Sequence, residues 1–131
     1  MIKNLVMFVS IAVLLAGANV QAQEPELYEL RTYTTHEGKL EALHARFRNH
    51  TQTLFENHGM RNIGYWVPTD TPNTLVYLIA HESAEAAKIS WENFVADPQW
   101  QTVYKTSIID GPLVSKIDSS FMSATDYSPM R

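Results

Sequence analysis

The order in which hydrophobic periodicity switches along the chain constrains its fold more tightly than any single residue. Tyr28 to Tyr33 alternate with the two-residue period of a strand, with Tyr28, Leu30 and Thr32 on one side and Glu29, Arg31 and Tyr33 on the other. Leu40, Leu43, Phe47 and Leu54 then recur at helical spacing, and His58-Gly59 predicts the stop, glycine supplying a left-handed cap. Two strand-like runs follow, around Ile63, Tyr65 and Val67 and over 73–82, separated by the turn-forming stretch Pro68 to Asn73. Ser83 as N-cap, followed by Ala87, Trp91 and Phe94 along one side, predicts a second helix. Asp97-Pro98 restarts it, because aspartate caps well and proline suits the first helical position, and Trp100, Val103 and Tyr104 continue its apolar side. A last alternation sets Ile117, Ser119 and Phe121 against Lys116, Asp118, Ser120 and Met122, before a tail that begins at Ala124.

The resulting order is βαββαβ. It predicts an α+β, ferredoxin-like fold, an antiparallel four-stranded sheet with its helices on one face. The other face has nothing from its own chain to cover it. Its strands carry side chains of mixed character, so it is expected to close on a second copy of the chain as a homodimer. The first and last strands are neighbours in this topology. Glu29 and Arg31 are therefore expected to face Lys116 and Asp118 across the ladder, either as a charge pair at the subunit interface that sets register more than it stabilises or as a solvated pair on a partly exposed sheet.

The first 22 residues stand apart from this pattern. Lys3 gives a positive start, Leu5 to Ala16 an apolar run, and Val20 and Ala22 the small residues of a cleavage site, so a signal peptide over 1–22 is expected, cleaved after Ala22. The apolar run falls short of the roughly 20 residues that a bilayer span needs, and no membrane attachment is expected after cleavage. The expected location is periplasmic or secreted. Removal of this segment leaves 109 of 131 residues, one domain over 23–131 with a single core, and takes the formal charge from −4 to −5 by removing Lys3. That mild acidity opposes a nucleic-acid partner, whose affinity rests on clustered Lys and Arg. No cysteine is present, which excludes disulfides, thiolate nucleophiles and cysteine-based zinc sites together.

Tyr28-Glu29-Leu30-Arg31-Thr32-Tyr33, Gly38, His58-Gly59, Gly64, Trp66, Asn73, Asp97-Pro98 and Trp100, in that order and spacing, resemble the NIPSNAP family over essentially the whole mature chain. The resemblance implies a dimeric α+β barrel, in which two ferredoxin-like sheets close on each other with the helices outside. Tyr77-Leu78-Ile79 stands where the family tends to read His-Leu-Trp, and the basic residue expected in the following helix is displaced around Ala87-Lys88. The resemblance implies a fold and no single reaction.

Of the five histidines, His44 and His50 fall on opposite flanks of the first helical stripe. They do not converge with the others, and no HExxH or His-x-His cluster is present, so no metal site is expected. His58 reads as a helix-end residue. His50, seven residues after Leu43, borders the stripe and reads either as a satisfied edge-of-core histidine or as the candidate catalytic residue, projecting between helix and sheet where a neutral imidazole would act as general base. Arg31, Tyr33, Trp66, Tyr77 and Trp91 are the candidate ligand-binding residues, rings and a cation suited to a flat, apolar or aromatic small molecule. No Gly-x-Ser-x-Gly elbow, GxGxxG or P-loop occurs, no histidine is singled out for haem, and no cofactor is expected. Binding of a small organic molecule between sheet and helices is the leading reading. Fold analogy adds a cofactor-independent monooxygenase-like or isomerase-like enzyme, and the remaining alternative is a non-catalytic interaction module.

Overall fold

A computed structural model describes residues 25–130, together with 12–13 and 16–18. The expected export signal and its cleavage point therefore lie outside the described residues, apart from those five positions. Among the described residues no helix is long and apolar enough to cross a membrane.

Four strands, β1 (Leu27–Thr35), β2 (Arg61–Trp66), β3 (Thr74–His81) and β4 (Val114–Ser123), form one antiparallel sheet in the order β2-β3-β1-β4. Between β1 and β2 the chain runs through α1 (Leu40–Arg46), a π-helical turn (Phe47–Thr51) and α2 (Gln52–Asn57). Between β3 and β4 it runs through α3 (Ala84–Ala96) and α4 (Pro98–Ser107). The βαββαβ order and the pairing of the first strand with the last agree with the reading from periodicity. So do the caps. The Ser83 side chain accepts from the Ala86 N–H at 3.0 Å, and the Asp97 side chain accepts from the Gln99 N–H at 2.8 Å, with Pro98 in the first turn. Gly59, at φ +80°, ends α2, and the Met60 N–H reaches back to the Phe55 carbonyl at 2.9 Å while the Met60 side chain is fully buried. This is the hydrogen-bond pattern of a glycine-terminated helix with its accompanying apolar contact.

Strand parity settles which residues meet the helices. The β1–β3 register, Arg31 opposite Tyr77 and Tyr33 opposite Leu75, puts Glu29, Arg31 and Tyr33 on the helix-covered face with Leu75, Tyr77 and Ile79. A bulge between Asn62 and Gly64 in β2 then brings Asn62 and Tyr65 to the same side, where the Tyr65 hydroxyl donates to Asn62 Oδ1 at 2.5 Å. Phe47 is the centre of the core. Its ring lies 5.1 to 6.1 Å from those of Tyr33, Phe55, Tyr65 and Tyr77, and Leu43, Leu54, Leu75 and Ile79 complete the packing.

The expected charge ladder is corrected by this register. On β4, Ser119 stands opposite Arg31 and Phe121 opposite Glu29, whereas Lys116 and Asp118 stand opposite Thr34 and Thr32 on the other face. Side chains alternate, so a pairing offset by one residue separates the two charge pairs by the thickness of the sheet. Lys116 and Asp118 meet each other at 3.2 Å on the surface. The face without helices is also less bare than expected. The tail from Ala124 lines a cavity with Tyr28 and Leu78 at one end of it, and Tyr28 is buried there. Leu30, Thr32, Val76 and Leu78 remain half-buried on that face and Trp66 exposed.

Candidate functional site

Between the helix-covered face and the helices lies a cavity of about 350 Å³, open on one side. Tyr33 forms its floor from β1, Phe47, Thr51 and Phe55 its wall from the first helical segment, and Phe94, Trp100 and Tyr104 the facing wall from α3 and α4. Val114 to Ile117 make the rim along β4. Arg46 completes the lining. No histidine or carboxylate is among the lining residues.

The π-helical turn shapes this wall. In an α-helix the position seven residues after Leu43 returns to within about 20° of it, which is why His50 is expected inside. In a π turn the hydrogen bonds reach back one residue further and the helical phase slips by one position. Thr51 is therefore buried, its hydroxyl donating to the Arg46 carbonyl five residues back at 3.2 Å, and His50 is swung out. His50 lies exposed in the outer groove between this helix and α4, beside Thr102 and Val103, so its placement between helix and sheet is corrected.

Below the cavity floor the polar side chains of β1 form a buried network, in which Arg31 Nε and His81 Nδ1 are left without a partner. Arg31 Nη1 donates to Glu29 Oε1 at 2.9 Å, Nη2 points to the Tyr33 hydroxyl at 3.4 Å, and the guanidinium lies 4.4 Å from the Trp91 ring centroid. The Tyr77 hydroxyl donates to that of Tyr33 at 3.1 Å. Glu29 is 1 % exposed and accepts from Trp91 Nε1 at 2.8 Å and the Ser119 hydroxyl at 3.0 Å, while its Oε2 lies 2.9 Å from His81 Nε2. Burial alone would push the Glu29 carboxyl up. The hydrogen bonds to His81 and Trp91 and the Arg31 charge outweigh it and hold the group at about 2. Tyr77 is raised well above the ordinary tyrosine range, first by burial and then by Tyr33, so its hydroxyl stays protonated as a donor.

Four of the five sequence-predicted ligand residues thus come together. Tyr33 lines the cavity, and Arg31, Tyr77 and Trp91 are joined to it directly or through one neighbour. Trp66 does not join them. It stands opposite Val76 on the helix-free face, 53 % exposed, with its ring over Gly64 so closely that a β-carbon there would lie 2.4 Å from Trp66 Cη2.

Arg46, Trp100 and Tyr104 were not among the expected site residues. The Arg46 guanidinium lies 5.3 Å from the Trp100 ring centroid and 5.5 Å from that of Tyr104, and its Nη1 donates to the Ser107 hydroxyl at 3.1 Å. The signal was present: an arginine three residues after Leu43 and next to Phe47, inside an apolar stripe. His58, read as a helix-end residue, meets the Asp97 cap at 2.7 Å, and that contact, with the Gln99 N–H, holds the Asp97 carboxyl below its ordinary value. Among the described residues no group of three or more His, Asp or Glu side chains is arranged to hold a metal.

The NIPSNAP family model matches residues 28–129. No curated protein matches the chain. Among solved structures, a NIPSNAP family protein of unknown function from Agrobacterium tumefaciens superposes with a TM-score of 0.72 at 23% identity, over 82% of this chain and 95% of that one. A NIPSNAP domain protein from Burkholderia xenovorans gives 0.69 at 24% identity, over 79% and 98%. The cofactor-independent oxygenase SnoaB from Streptomyces nogalater gives 0.58 at 18% identity, over 81% and 99%. At these identities the neighbours establish the fold, and the family match extends from the first residues of β1 through the tail beyond β4. The chain belongs to the NIPSNAP family.

Proposed function

We propose that this NIPSNAP domain is exported, pairs as a homodimer through its helix-free sheet face, and binds a small, flat, apolar or aromatic molecule in the cavity between sheet and helices. The observation that carries the reading is the cavity itself. Its volume of about 350 Å³ and its walls of Phe47, Phe55, Phe94 and Trp100 match the scale and lining of small-molecule sites. The network of Glu29, Arg31, Tyr33 and Tyr77 holds its floor rigid, since each of these side chains is fixed by at least one neighbour. The homodimer rests on the half-buried Leu30, Val76 and Leu78 and the exposed Trp66, an apolar group that association would remove from water. Binding is favoured over proton-transfer catalysis because the lining supplies rings and the Arg46 cation and no histidine or carboxylate base.

The test uses protein expressed from the full coding sequence and the uncharged fluorescent ring compound N-phenyl-1-naphthylamine. Saturable fluorescence enhancement is expected, and Ile117→Trp, which fills the rim, is expected to abolish it. Absence of saturation in the unmodified protein would remove the binding reading, and sedimentation of the same sample as a monomer would remove the homodimer.

A further inference from the structure

The described residues include four arginines, and three of them meet a carboxylate. Arg31 meets Glu29, Arg61 meets Glu26, and Arg48 lies 4.0 Å from Glu41. Arg46 is the exception. It is 6 % exposed, and its one hydrogen bond to a side chain goes to the uncharged Ser107 hydroxyl. Its Nε is buried with no acceptor. Trp100 and Tyr104 offer their rings to the guanidinium, which fixes its plane but places no negative charge beside it. Burial weakens its hold on the proton, the direction expected of a cation short of counter-charge. A buried charge is ordinarily paired, because the interior replaces the lost hydration only through a partner.

The geometry around that unfilled position is selective. Arg46 lines the same cavity as Phe47, Trp100 and Tyr104, and two of those rings lie against its guanidinium, so an anion that satisfies it from the cavity sits among aromatic rings. Lys116, the other basic residue along the cavity's edge, turns its side chain to the opposite face of the sheet, where it bridges to Asp118, so it does not seat an anion in the cavity. A planar carboxylate matches the in-plane donors of a guanidinium.

We propose that the molecule held in this cavity is an aromatic carboxylate, its charged end against the Arg46 guanidinium and its ring among Phe47, Trp100 and Tyr104. The proposal rests on the binding reading above and names the ligand's chemical class. Arg46 is then the specificity-determining residue of the site. It rejects the uncharged analogue because that analogue leaves the guanidinium buried and unpaired.

The experiment compares 2-naphthoate with 2-naphthalenemethanol, nearly the same shape without the charge, by calorimetric titration of protein expressed from the full coding sequence at neutral pH and low salt. The carboxylate is expected to bind at least about tenfold more tightly, the discrimination that a charge-assisted hydrogen bond supplies. In Arg46→Met that preference is expected to fall within about twofold while the alcohol still binds, and in Lys116→Gln the preference is expected to persist. Equal affinity of the unmodified protein for the two probes overturns the proposal and leaves the pocket reading standing. Binding of neither probe sinks both readings, and a naphthoate preference that survives Arg46→Met assigns the anion to another group and overturns this one. Should Arg46→Met fail to fold, Arg46→Lys, which keeps the charge and loses the planar fork, replaces it: a reduced naphthoate preference is expected, and an undiminished one overturns the proposal.

Discussion

Arg31 Nη1 lies 2.9 Å from Glu29 Oε1 on the helix-covered side of β1, with both side chains withdrawn from solvent. Two positions apart on one strand, they necessarily share a face. The charge pair that in sequence looks like a surface or interface ladder lies beneath the Tyr33 floor of an aromatic cavity, and Trp91, Tyr33, His81 and Ser119 supply its further contacts.

Acid stability tests that floor. The Glu29 carboxyl is held at about 2 against an ordinary 4.5, so the stability it confers is fully present above pH 4.5 and is lost as the pH falls from 4.5 towards 2. The amount is about 3 kcal/mol. Urea unfolding at pH 7 and at steps down to pH 2.5 is expected to show this loss in the unmodified protein. Glu29→Gln is expected to lack that pH-dependent component and to be less stable at pH 7 by about 3–5 kcal/mol, since Arg31 is left buried beside a neutral group. A variant with an unchanged acid limb would place the titrating group elsewhere.

Phe47 is expected to dominate the core. Phe47→Ala removes the ring that touches Tyr33, Phe55, Tyr65 and Tyr77 and should cost about 3–5 kcal/mol in denaturant unfolding. Tyr77→Phe removes only the hydroxyl bonded to Tyr33 and should cost about 1 kcal/mol. Similar losses in the two would mean that the hydroxyl pair, not the ring cluster, organises this layer.

Deletions probe the π-helical turn. Removing the exposed Asn49 should restore a regular helix while keeping Leu43, Phe47, Thr51, Leu54 and Phe55 on one side, and a folded protein is expected. Removing Thr53 instead turns the following stripe by about 100° and is expected to prevent folding. Circular dichroism melts of the two variants distinguish them, and equal damage from both would show that the extra residue of the turn is required for the fold.

Trp66 is expected to act in association rather than in folding. Trp66→Glu should change unfolding stability by no more than about 0.5 kcal/mol when measured at dilution, as befits an exposed side chain. The same substitution should shift the sedimentation of the protein from dimer to monomer at concentrations where the unmodified chain pairs. Gly64→Ala, which forces the Trp66 ring off its seat, is expected to act in the same direction. A dimer that tolerates both changes would locate the contact away from this face.

The sequence by itself determined the order of elements, their turns and their caps. These follow from interactions within a few residues: the alternation at Tyr28 to Tyr33, the Ser83 and Asp97 caps, and the glycine stop at Gly59. It also brought Arg31, Tyr33, Tyr77 and Trp91 into view, because rings and a cation on neighbouring core elements converge once the helices cover the sheet. The tertiary structure alone decided which face each strand turns inward, because face depends on pairing register across the sheet and a shift of one residue inverts it. That is why Glu29 and Arg31 lie inside, and Lys116 with Trp66 on the other face. It decided as well that a π-helical turn exchanges His50 for Thr51, and that Arg46 meets two rings and no acid. A buried charge without a counter-charge is a property of everything packed around it, and no local pattern in the chain encodes that.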